Sequence, residues 1–132
     1  MIRYVISAVF LGLFFLAFAP AWSQPRLPFS PSDQEMLLLP EECKVHLRGT
    51  PEQKNTLNKR YPGLVGLNHY CWGLNFMNRA KLFSSDKSEK RFNLQSAIGE
   101  FDYVLKHSAA NANGLQQIRM QKEQAEIMLK ML

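Results

Sequence analysis

The chain reads as all-α. No segment alternates apolar and polar residues with a β-branched bias, so strands are not expected. Apolar residues instead recur every three or four positions across 64–83, 89–107 and 115–131. Each of these runs sits between residues that start or stop helices. Long helices joined by short loops pack as antiparallel neighbours. Shorter helices are expected ahead of them.

The first 23 residues are set apart from that domain. Arg3 supplies a positive start, Val5 to Ala19 is almost wholly apolar, and Ala21-Trp22-Ser23 offers small residues for a peptidase. This three-part layout predicts a secretory signal cleaved after Ser23. The run is short for a spanning helix, which takes about 20 apolar residues, and Pro20 interrupts it. The alternative is an uncleaved anchor; after cleavage no stable membrane span is expected. The predicted location is periplasmic or secreted.

Residues 24–31, QPRLPFSP, hold three prolines and predict a flexible, extended lead-in to a single domain over 32–132. Ser32-Asp33-Gln34-Glu35 fits a capping box that opens a short helix through Leu39. Pro40, Glu41 and Glu42 suit the first turn of a second helix, which Gly49 ends. Thr50-Pro51-Glu52-Gln53 repeats the start logic, and that helix stops near Lys59.

The opening long segment, 64–83, has two apolar stripes. Leu64, Leu67, Cys71, Leu74 and Met77 form one; Trp72, Phe76, Ala80 and Phe83 form the other. A helix with two such stripes needs neighbours on two sides. Gly73 permits one of them to approach closely, at a cost of about 1 kcal/mol against Ala. After the polar turn 84–88, where a serine is expected to cap, Leu94, Ala97, Ile98, Phe101, Val104 and Leu105 line the next helix. SAANANG over 108–114 is a loop. Leu115, Ile118, Ala125, Leu129 and Leu132 then share one side of the last helix; Lys122 interrupts them, its stem expected along the core.

The charge is modest: 16 basic against 11 acidic residues, net +5. Loss of Arg3 with the leader leaves 15 against 11, net +4. No three basic residues adjoin, so no nucleic-acid stripe is expected. Export gives the two cysteines, Cys43 and Cys71, an oxidising setting in which an even pair predicts a disulfide. The competing reading is a zinc site from Cys43, His46, His69 and Cys71. The i, i+2 spacing of His69 and Cys71 opposes it, because those side chains diverge by about 200° around a helix. No metal or cofactor is therefore expected. No redox pair, haem attachment, phosphate loop, nucleophile elbow or metalloprotease motif occurs. His107, Ser108 and Asp102 lie near one another in sequence, but a histidine in a last helical turn is favoured by the helix dipole alone. No catalytic residue is assigned, and the protein is not expected to be an enzyme.

HYCWGLNFMNRA over 69–80 and RFNLQSAIGEFDYVLKHS over 91–108 together resemble a helix-turn-helix unit of the tetratricopeptide-like class. They look in particular like a group of small exported bacterial proteins, mostly uncharacterised. Ala97, Phe101 and Val104 match the positions where the second helix of such a unit packs on the first. LQQIRMQKEQAEIMLK over 115–130 is similar to the first helix of a following, uncompleted unit. The resemblance implies stacked antiparallel helical hairpins and a binding or scaffold role. Short N-terminal helices would cover one end, with Cys43 tied to Cys71 as a staple.

Asn68, Trp72, Asn75 and Arg79 are spaced 4, 3, 4 and share a helix face. In tetratricopeptide-like domains that face lines a groove where Asn with Lys or Arg holds a peptide carboxylate. The resemblance thus implies peptide contacts from Asn68, Asn75 and Arg79, with Trp72 as anchor. The plainer reading has Trp72 filling the core beside a solvated face. The function expected is an exported interaction module of the cell envelope that binds a protein or peptide, with self-association also open to it. Two alternatives stand beside it. One is a small metal- or redox-linked protein using Cys43, Cys71 and histidines. The other is a structural subunit that exists only within a larger complex.

Overall fold

Short-range capping decides where the first helices begin. A computed structural model describes residues 28–132. The signal segment 1–23 and residues 24–27 of the lead-in lie outside that range. Helix α1 spans Asp33–Leu37 and α2 spans Glu41–Arg48. Ser32 and Glu35 form the capping box: the Glu35 amide donates to Ser32 Oγ, and the Ser32 amide donates to Glu35 Oε2. Pro40 stands one residue earlier than expected, as the N-cap of α2 in extended conformation. Helix α3, Pro51–Asn58, opens on the equivalent box from Thr50 and Gln53.

Helix α4, Leu67–Asn78, begins three residues later than the expected rod, because Gly66 takes φ +81° at its N-cap. A side chain there would be strained and would meet the Tyr103 and His69 rings within 3.1–3.2 Å. The helix then widens into a π-helical turn over Arg79–Phe83, with the Ser84 amide donating to the Arg79 carbonyl. The extra residue in that turn rotates the side chains beyond it. Phe83, expected beside Trp72, Phe76 and Ala80, is therefore 45% exposed.

Helix α5 spans Lys87–His107 and α6 spans Leu115–Lys130. The cap of α5 is Asp86 rather than a serine: its carboxylate accepts from the Glu89 amide at 2.8 Å. A carboxylate there answers both the free amide and the positive end of the helix dipole. The fold is all-α, with six α-helices and no strand among the described residues.

Bonds linking α4 and its flanking residues to α5 and its flanking residues pair the start of one segment with the end of the other. The Ala109 amide donates to the Gly63 carbonyl, His69 meets Glu100, and Asn93 donates to Ser84 Oγ. Lys122 of α6 reaches Asp102 of α5, and Lys87 Nζ donates to the carbonyl of Leu132. Helix α4 therefore has neighbours on more than one side: α5, α2 and, less extensively, α6. Leu67, Cys71, Phe76, Met77 and Ala80 from α4 and its π-turn join Leu94, Ala97, Phe101 and Val104 from α5, and Ile118 and Ala125 from α6, in one core. Gly73 is what allows the closest approach, since a Cβ there would lie 2.5 Å from Phe101 Cε1.

Candidate functional site

The polar stripe on α4 and its π-turn meets the N-terminal segment at Trp72 and Arg79. Asn75 and Arg79 are buried, 1% and 2% exposed, whereas Asn68 and Trp72 are half-buried. Arg79 Nε donates to Glu35 Oε1 at 2.5 Å, and its Nη2 donates to Glu35 Oε2 at 3.0 Å. The same Nη2 donates to the carbonyl of Pro28 at 2.7 Å. The guanidinium also lies 5.4 Å from the centre of the Phe76 ring. A two-point guanidinium–carboxylate pair is the geometry expected of an arginine clamp. Here the carboxylate belongs to the chain itself.

That pairing turns the Arg79 guanidinium inward, to a carboxylate of the same chain. A buried guanidinium needs a counter-charge inside the fold, because removing an unpaired charge from water costs several kcal/mol. Glu35 supplies it and is held well below its ordinary pKa of 4.5, at about 2. Burial pushes this carboxyl up, but hydrogen bonds from Arg79 and Ser32 and the Arg79 charge outweigh it. Asn75 has no hydrogen-bond partner for either side-chain atom among the described residues.

The N-terminal segment forms a strap over this face. Phe29 sets its ring edge-on against Trp72, centroids 5.2 Å apart, and against Phe76 at 5.1 Å. Pro31 is buried, and its carbonyl accepts from Arg48, which also pairs with Asp33. Residues 28–31, the end of the expected flexible lead-in, touch the helices through Pro28, Phe29 and Pro31. Between strap and π-turn is a cleft of about 380 Å³, lined by Pro28, Ser30, Gln34 and Phe83 among others.

A row of rings continues from Trp72 away from the strap. His69 stands edge-on to Trp72 at 5.0 Å and stacks on Tyr103 at 3.8 Å; Tyr103 stacks on His107 at 4.1 Å. His69 Nδ1 bonds Glu100 Oε2 at 2.7 Å. The sequence held no local sign of the Glu35–Arg79 or His69–Glu100 pairs, which span 44 and 31 residues. Glu35 was visible only as a capping residue, and one carboxylate serves both roles.

Cys43 and Cys71 are joined, S–S 2.06 Å, and both are fully buried. The bond ties α2 to α4 and is compatible with an oxidising, extracytoplasmic compartment. It leaves neither thiolate to serve a metal or thiol-exchange site with His46 and His69. Burial, then the nearby Lys54 charge, lowers the His46 pKa. Asp102, His107 and Ser108 do not meet. Asp102 pairs with Lys122, His107 Nδ1 bonds the Tyr103 carbonyl, and Ser108 Oγ bonds the Val65 backbone.

No helix among the described residues is long and apolar enough to cross a membrane. Compared with known proteins, the chain matches no family model, no curated protein and no solved structure.

Proposed function

We propose that the chain is an exported protein–protein interaction module of the cell envelope, built as tetratricopeptide-like antiparallel hairpins and released by cleavage after Ser23. The observation that carries this reading is the outer face of α6. Leu115, Ile118 and Ala125 turn inward, whereas Met120, Ile127 and Met131 are exposed. Those three are spaced 7 and 4, so they share one face. We read these exposed apolar side chains, on a helix whose other face is already buried, as a docking surface. In a stack of helical hairpins such a face is covered by a neighbour, and we assign that place to a partner protein.

Affinity capture of the full chain from the cell envelope, compared with an Ile127→Glu variant, tests the reading. The substitution sits on an exposed position, so thermal stability should hold while the captured protein is lost. Capture of the same protein by both forms removes α6 as the docking face.

A further inference from the structure

We propose that Asn113, in the loop between α5 and α6, is a site of covalent self-modification: the Gly114 backbone nitrogen attacks the Asn113 side-chain amide, closes a succinimide ring and expels ammonia. The inference takes nothing from the α6 docking reading.

Four features favour the reaction at this asparagine. Asn113 is exposed in a turn, so water reaches its side chain. The Gly114 amide donates to no acceptor among the described residues, which leaves its nitrogen available for attack. Gly114 has no Cβ to crowd the forming ring. The Asn113 side chain is restrained only by one long hydrogen bond, from Nδ2 to the Arg60 carbonyl at 3.4 Å.

The other asparagines lack this combination. Asn55, Asn58, Asn68, Asn75, Asn78 and Asn93 lie in helices, where fixed backbone dihedrals oppose the rotation that ring closure needs. Each is also followed by a residue with a side chain. Asn111 is exposed in the same loop, but the Ala112 amide that follows it already donates to the Ala109 carbonyl at 2.9 Å.

The atoms balance with water as the co-reactant. A bond forms between Gly114 N and Asn113 Cγ, and the Cγ–Nδ2 bond breaks. The Gly114 amide proton leaves with the Nδ2 group as ammonia. Water then opens the ring. Opening at Cγ gives aspartate. Opening at the main-chain carbonyl carbon gives isoaspartate, in which the backbone runs through Cβ. Either product puts a carboxylate where Nδ2 had donated to Arg60, so the loop loses that tie. The new charge stands one residue before the N-cap of α6, at the positive end of that helix's dipole.

Incubating the full chain in mildly alkaline buffer made with heavy-oxygen water tests the assignment. The chain is then digested in ordinary acidic water, where ring closure is slow, and mapped by electron-transfer fragmentation. Labelled oxygen should enter at Asn113 before any other asparagine, one atom per modified chain. Isoaspartate should accompany aspartate among the products, because direct hydrolysis of the side chain gives aspartate alone. Asn113→Gln lengthens the side chain by one methylene and should lose the early uptake. No uptake at residue 113, earlier uptake at Asn111, aspartate without isoaspartate, or uptake retained at the glutamine overturns the proposal.

Discussion

Glu35 and Arg79 close on each other across 44 residues, and the carboxylate that caps α1 also neutralises the only guanidinium buried among the described residues. The pair fixes the strap to the end of α4. Its consequences can be measured through stability, because both members are nearly sealed from water.

Acid should loosen the fold through this pair. The folded pKa of Glu35, about 2, lies below its ordinary 4.5. Its stabilisation is therefore complete above pH 4.5 and fades as the pH falls toward 2. A shift of that size is worth about 3 kcal/mol. Chemical denaturation from pH 7 to 2 should show this loss, and Glu35→Gln should flatten that part of the profile. Arg79→Ala strands the carboxylate and should cost about 3–5 kcal/mol at pH 7.

Gly73 should not tolerate a methyl group. A Cβ would meet three atoms of the Phe101 ring at 2.5, 2.8 and 2.9 Å. Overpacking of this kind costs about 1–3 kcal/mol, against a helix-propensity gain near 1. Gly73→Ala should lower the thermal midpoint. Adding Phe101→Leu should make the Gly73→Ala change less harmful than it is alone, which a double-mutant cycle will show.

Reduction should weaken the chain without altering its helices at low temperature. The disulfide closes a loop between residues 28 apart in sequence. The chain-entropy model assigns such a loop about 3–4 kcal/mol. A Cys43→Ala, Cys71→Ala double variant should unfold at correspondingly lower denaturant. The native protein should show no thiol to an alkylating reagent until it is both unfolded and reduced.

Asn75 is a buried amide without a partner among the described residues, so an apolar side chain of similar volume should be preferred there. Leaving such a group unsatisfied costs about 1–3 kcal/mol. Asn75→Leu should raise stability by an amount in that range. A fall instead would mean that the amide has a bonding partner in solution.

The order of helices was legible because its determinants are local. Ser32 with Glu35 and Thr50 with Gln53 settle their helix starts within four residues, through backbone amides that need caps wherever the helix ends up. The stripes on 64–83 showed that this segment needs two sides covered, and Leu67, Phe76, Met77 and Ala80 are buried accordingly. The cysteine pair was legible for a different reason, since an even count in an oxidising compartment leaves few alternatives.

Only the packed chain decided which groups meet. Whether Arg79 faces solvent or Glu35, whether His69 finds Glu100, and whether Phe83 turns in or out depend on packing and on one extra residue in a helical turn. Spacing along a helix specifies a face but not what lies opposite it. That is set by which faces packing brings together across tens of residues, as it brings Glu35 to Arg79.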